Sequence, residues 1–277
     1  MKKWFVVLIG MIIGFQSCDI IDNPIKNGGI IQPPDSTKVV RKVVIEDFTG
    51  HQCKNCPKAA KQIKDIEALY GDQVIGIAIH AGPSNFTGTN ADYPTDFRTP
   101  EGTAIYNFFK IPALPMGMVS RVGYPTNTHL KTYPGWPAET ANLIDSVAKI
   151  EIAQTISYDA ASRAVSVAIT ATALADFSDD LKVCVMLLES GIVSPQLMPD
   201  DTRDTTYVHN HVLRDMLTQA LGDELGLHPI VRNQILTKQF AGSLDNTWNA
   251  SNCDIVSFVY NARTYEILQA EISAVAP

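Results

Sequence analysis

The chain has 277 residues, 45% hydrophobic and 18% charged, a composition that suits a globular protein and leaves room for two ordinary cores. A formal charge of −7 without any long Lys/Arg run excludes a protein that holds nucleic acid by neutralising phosphates. Acidity alone names no partner.

Met1-Lys2-Lys3 is a short basic start, and the apolar run over 4–15 is too short to span a bilayer, so the N-terminus reads as a secretion signal. Gln16-Ser17-Cys18 follows at the expected cleavage point. This resembles a bacterial lipoprotein signal, in which Cys18 becomes the lipid-bearing first residue and anchors the protein to a membrane; ordinary cleavage with an incidental Cys18 is the alternative. Gln16 departs from the usual small or apolar residue. Residues 19–38 contain Pro24, Gly28, Gly29, Pro33 and Pro34 with no apolar period, as expected of a linker.

From 39 to 150 the pattern alternates strand and helix. The β-branched run 39–48 predicts a strand, and 58–70 predicts a helix burying Ile63, Ile66 and Leu69. Between them lies Cys53-Lys54-Asn55-Cys56-Pro57. Two thiols at this spacing can close into a disulfide ring, and the first sulfur then sits near the unpaired N–H groups of a helix start, where a thiolate is favoured. A strand over 73–80 and a long polar loop over 81–98 follow. Thr99-Pro100-Glu101 then reads as a helix start, with Ile105, Phe108 and Phe109 on its buried side. Ile111–Val119 is a proline-bearing turn leading into a strand, and 137–150 predicts a closing helix.

After residue 150 successive strands replace the alternation. Val165, Val167 and Ile169 alternate with polar or small residues, and 182–188, 234–240, 254–260 and 265–272 are further strand candidates. Such a series predicts an immunoglobulin-like β-sandwich. One helical insertion is expected over 212–221, with Leu213, Met216, Leu217 and Leu221 as its apolar stripe.

Export permits disulfides, so Cys184 and Cys253, each in a strand-like run, either pair with each other or remain as buried free cysteines. His209 and His211 could face one side of an extended segment, but two imidazoles without a placed third ligand do not make a metal site. Asp200, Asp201 and Asp204 lack the ordered spacing of a calcium loop. His51 is expected in a solvated loop and His80 as a packing residue. No cofactor is implied.

Asp47-Phe48 leading into Cys53-x-x-Cys56, followed by a helix and then Leu114-Pro115 before a strand, resembles the thioredoxin superfamily. That resemblance implies a thioredoxin-like domain over 39–150, which leaves the strand series over 151–277 as the β-sandwich domain. It implies that Cys53 attacks, Cys56 resolves, Asp47 beneath them exchanges a proton with Cys56, and Pro115 opposite lines the substrate site. Gln52 and Lys54-Asn55 depart from the usual Trp and Gly-Pro, which leaves the potential open within the roughly −270 to −120 mV that such proteins span.

With the lipoprotein signal, Phe48-Thr49-Gly50…Cys53-x-x-Cys56-Pro57 and Tyr207-Val208-His209-Asn210-His211-Val212-Leu213-Arg214, nearly the entire mature chain resembles the 28-kilodalton outer-membrane-protein family of Bacteroidetes. The implied function is a lipid-tethered thiol–disulfide oxidoreductase of the cell envelope acting on exported protein thiols or disulfides. The alternative is a surface binding or adhesion lipoprotein with a non-catalytic scaffold and a structural Cys53–Cys56 bond.

Overall fold

Residues 39–276 are described by a computed structural model. In order they form β1 (Val43–Thr49), α1 (Cys56–Tyr70), β2 (Val74–His80), α2 (Ser84–Thr87), α3 (Pro100–Phe108), β3 (Met116–Val119) and α4 (Trp136–Leu143). There follow β4 (Ile150–Asp159), β5 (Ala164–Ala173), β6 (Leu181–Glu189), β7 (Ile192–Val193), β8 (Gln196–Leu197), β9 (Arg203–Asp204) and β10 (Val208–His209). The chain ends with β11 (Val212–Met216), β12 (Asp223–Gly226), β13 (Ile235–Ser243), β14 (Cys253–Asn261) and β15 (Ile267–Ala274). The result is a strand-rich protein with mixed sheets and few helices. The signal, Cys18 and the 19–38 linker lie outside the described residues.

Local chemistry explains the helices of the first half. Pro57 occupies the first turn of α1, where its missing N–H costs nothing, and Gly71 ends the helix at φ 59°. Ala59, Ile63 and Ile66 face inward as expected, whereas Leu69 is 73% exposed. Thr99 caps α3, its hydroxyl accepting from the Gly102 N–H at 2.9 Å.

Eight of the fifteen described strands join in one sheet, ordered β15-β14-β6-β11-β2-β1-β3 with β12 also on β6. β1 and β2 are parallel, β3 runs antiparallel to β1, and β11 runs parallel to β2. The sheet therefore crosses the expected boundary at 150/151. It also curls, because the Ile267 N–H donates to Ser120 O at 3.0 Å and the Lys42 N–H to Gln269 Oε1 at 2.7 Å, bringing β15 beside the chain entering β1.

Curling gives the sheet an inside. Val44, Phe48, Ile77 and Met118 from the first half share one apolar cluster with Met186, Leu188, Val256 and Phe258 from the second, and α3 contributes Ile105. On the other surface, α1 and α4 cover β1 through Ile63, Ile66 and Trp136. There too the antiparallel sheet β13-β5-β4 covers β6 and β14 through Val167, Ile169, Val185 and Ile255.

One expectation fails, and one open alternative is resolved. Residues 212–216 form β11 rather than a helix. Their register on β6 shifts between Leu213 and Asp215, and this bulge lets Leu213 and Met216, three residues apart, face the same core. A bulged strand thus imitates helical spacing. Cys184 and Cys253 do not pair: both are buried and free. Cys184 lies opposite Phe258 in the interior cluster, while Cys253, an odd number of residues from Phe258 along β14, faces the layer beneath β4 and β5.

Inside the curl lies a charge pair. Arg121 donates to Glu46 through Nε at 2.7 Å and Nη2 at 2.6 Å, and both side chains are fully buried. The guanidinium lies 4.9 Å from the Phe109 ring centre and 5.0 Å from that of Phe258. Burial opposes its charge, but Glu46 more than offsets this, and the Arg121 pKa is raised. Glu46→Gln should cost about 3–5 kcal/mol in urea unfolding, because the cation loses its counter-ion without regaining water. The double variant Glu46→Gln/Arg121→Met should recover most of that loss.

Candidate functional site

At the C-terminal end of β1 the chain turns through Gly50 into Cys53, and Cys53 and Cys56 are disulfide-bonded with Cα atoms 5.4 Å apart. Gly50 permits a close approach: a Cβ there would collide with Phe86 O, the acceptor for the Gln52 N–H at 3.0 Å. The β1–β3 register sets Phe48 opposite Met116, so Pro115, at a cis Leu114–Pro115 bond, lies at the same end of the sheet. Asp47 lies on β1 beneath. Four predicted site residues, Asp47, Cys53, Cys56 and Pro115, are therefore gathered at this end.

Both cysteines are buried, Cys53 at 3% and Cys56 at 2% exposure. The cover comes from the second half. Leu197 N–H donates to His51 O at 2.8 Å, and Gln196 Nε2 donates to Cys53 O at 3.3 Å. Lys54 makes a salt bridge at 3.0 Å to Asp201 in the same loop. Neither Gln196 nor Leu197 carries a sequence signal for this role, since a side-chain amide and a backbone N–H in a loop specify no contact.

A cleft of about 550 Å³ opens beside the disulfide, lined on one side by Cys56, Pro57, Ala60, Lys64 and Glu67 of α1 and on the other by 207–211. Its floor includes Asp47 and His80. Asp47 Oδ1 is buried without a hydrogen-bond partner, and burial raises the carboxyl pKa well above its ordinary value. Next to the cleft, His80 packs on Phe97 at 4.6 Å between ring centres and on His209 at 5.8 Å. Burial, then the neighbouring His209, pushes the His80 pKa well down.

His51 is not solvated: it is 1% exposed, stacks on Tyr93 and donates through Nε2 to Gly88 O at 2.8 Å. His209 donates through Nε2 to Ser194 O at 3.2 Å, and burial lowers its pKa to about 4. His211 takes a separate path, its Nε2 lying 3.4 Å from Glu67. Burial opposes the His211 charge most, but the hydrogen bond and the charge of Glu67, with the charge of Asp254, together outweigh it, so that pKa is raised. The two histidines thus serve different contacts. Among the described residues, no group of three or more His, Cys, Asp or Glu is arranged to hold a metal ion.

Residues 102–277, well over half of the chain, match the family described as outer membrane protein Omp28. The chain belongs to the Omp28 family. The matched Omp28 region begins inside α3, so it contains Pro115 and the Tyr207–Arg214 segment but not Cys53 and Cys56. Membership places this Omp28 relative in the outer membrane of the cell envelope, and no helix among the described residues is long and apolar enough to cross a membrane.

HBP35 of Porphyromonas gingivalis is similar in structure at TM-score 0.64 and 19% identity, over 85% of this chain and 76% of that one. This likeness shows the fold. A domain of the outer membrane lipoprotein Omp28 from Porphyromonas gingivalis aligns at TM-score 0.34 and 22% identity, over 48% of this chain and 92% of that one, too low a score to bear on the fold. No curated protein matches the sequence.

The titrations have opposite signs. His209 binds its proton less readily when folded, so its contribution to stability is intact above about pH 6.5 and is lost as pH falls toward about 4, by about 3 kcal/mol in all. His209→Phe should flatten that acid limb in urea titrations. Asp47 holds its proton more tightly when folded, so it lowers stability as pH rises from about 4. Asp47→Asn should therefore raise the melting temperature at pH 8 and leave it nearly unchanged at pH 4.

Proposed function

We propose that the protein is a lipid-tethered thiol–disulfide oxidoreductase of the cell envelope, with Cys53 and Cys56 as its redox pair and exported protein thiols or disulfides as its substrates. The observation that carries this reading is the Cys53–Cys56 bond at the N-terminus of α1, with the unpartnered, proton-holding Asp47 carboxyl in the adjoining cleft. Asn55 makes no side-chain cap bond and the first turn of α1 has no acid, so the positive end of the helix is left to favour a thiolate. A buried neutral carboxyl is a proton reservoir for such a pair.

The order β1-α1-β2, then α3, Leu114-Pro115, β3 and α4, supports reading 39–150 as a thioredoxin-like unit. The packing of β13-β5-β4 over β6 and β14 supports an immunoglobulin-like sandwich for 151–277, fused to the first unit through the shared sheet. Lipidation at Cys18 would supply the membrane anchor.

One observation favours the alternative, a surface binding lipoprotein with a structural disulfide: both sulfurs lie under cover. A single experiment separates the two. The full-length chain in detergent should accelerate reduction of a peptide disulfide by dithiothreitol, and Cys53→Ser or Cys56→Ser should each lower that rate at least tenfold. Equal rates for wild type and both variants, with a pair that resists reduction in the folded protein, would leave the binding reading standing.

A further inference from the structure

Building on the oxidoreductase reading, we infer that the hairpin over 195–206, which carries β8 and β9, is a lid on the cysteine loop, and that thiol exchange at the Cys53–Cys56 pair requires it to lift. The second half of the chain thereby gates the redox pair of the first.

Three positions of the cysteine loop are tied to this hairpin. The Leu197 N–H donates to His51 O at 2.8 Å, Gln196 Nε2 donates to Cys53 O at 3.3 Å, and Lys54 pairs with Asp201 at 3.0 Å. Gln196 and Met198 also stand with Cys56 in the lining of the cleft. Both cysteines are at 3% exposure or less, so a sulfur on a second molecule finds neither accessible while these contacts hold.

The hairpin can move as a unit. Inside it β8 pairs with β9, the Met198 N–H donates to Thr202 O at 2.8 Å and the Asp201 N–H to Met198 O at 3.0 Å, so its shape does not depend on the loop beneath. From 195 to 206 Gln196 is the single buried residue, and the hairpin adds nothing to the three apolar clusters that hold the sheets and helices together. A segment with so few buried apolar contacts opens without the rest of the fold. Its outer ties, Lys54–Asp201 and Arg203–Asp92, are exposed ion pairs, which water and salt weaken. The base stays in place: the Ser194 N–H donates to Tyr207 O at 3.0 Å, and His209 donates to Ser194 O at 3.2 Å. The segment on the other side of the cysteine loop is not the moving part. There Phe86 O lies too close to Gly50 to admit a Cβ, and Gly88 O accepts from the buried His51 ring.

With the hairpin lifted, one thiolate of a dithiol attacks Cys53 Sγ and the Cys53–Cys56 bond breaks. Cys56 leaves with the electron pair and takes a proton from Asp47, which lines the same cleft. The second dithiol thiolate then attacks the dithiol sulfur of the mixed disulfide, and Cys53 leaves as thiolate. Two electrons pass from the dithiol to the protein.

Reduction of the oxidised full-length chain in detergent by dithiothreitol, sampled by alkylation and mass spectrometry, tests the lid. Asp201→Lys, which sets two cations against each other, should raise the rate at least threefold, and Gln196→Ala, which removes the one buried tie, at least tenfold. A zero-length carbodiimide coupling of Lys54 to Asp201, confirmed by the linked peptide, should slow reduction at least tenfold, and Asp201→Asn treated in the same way should not be slowed. In hydrogen exchange the Leu197 amide should exchange at least a hundredfold faster than the Ala78 amide of β2. A linked chain reduced as fast as the free one, or a Leu197 amide as protected as that of Ala78, overturns the lid and leaves the oxidoreductase reading standing. A pair that resists dithiothreitol in wild type, Asp201→Lys and Gln196→Ala alike, while the Leu197 amide exchanges freely, overturns the oxidoreductase reading and the gate with it.

Discussion

The Ala78 N–H donates to the His211 carbonyl at 2.8 Å, and Val212 pairs with Ala78 in parallel register, so that β11 from the second half of the chain lies against β2 from the first. Through that junction β6, β14 and β15 join the same sheet as β1, β2 and β3. The segment entering β11 is thereby delivered to the end of the sheet that bears the cysteine pair. Without it the disulfide would keep its helix and lose both its cover and one wall of its cleft.

Curling of that sheet has an electrostatic consequence. Bringing β15 beside the entrance to β1 encloses Glu46, which would otherwise face an open surface, and Arg121 follows it inside. A buried carboxylate is tolerated because the guanidinium meets it with two hydrogen bonds and rests on aromatic faces drawn from both halves of the chain. Ser120 and Arg121 adopt left-handed backbone conformations, at φ 46° and 55°, immediately after β3, which turns the arginine back into the interior.

Much of the candidate site is legible in the chain because its members are tied to local structure. A Cys-x-x-Cys between a β-branched run and a proline-initiated helix can be placed from spacing alone, and so can a Leu-Pro turn before a short strand. His51, His80 and His209 are different. They come from three separate segments, and their burial against Phe97 depends on packing between those segments. Nothing in Tyr207-Val208-His209-Asn210-His211 distinguishes a ligand pair from two histidines with unrelated partners. The bulge in β11 misleads for a related reason: periodicity reports which residues face one way, and a bulged strand and a helix can give the same answer over five residues.

Composition, hydrophobic period and motif spacing determined that this is a globular chain with a cysteine pair at a strand-to-helix turn, a proline turn downstream and a strand-rich second half, because each of these depends on residues close together in sequence. Only the tertiary structure decided that the two halves share one sheet, that Cys184 and Cys253 stay apart, and that Gln196 and Leu197 bond to the cysteine loop at the edge of a cleft. Those outcomes depend on strand register and on which face each side chain takes, and a one-residue change in either reverses them without altering the local pattern.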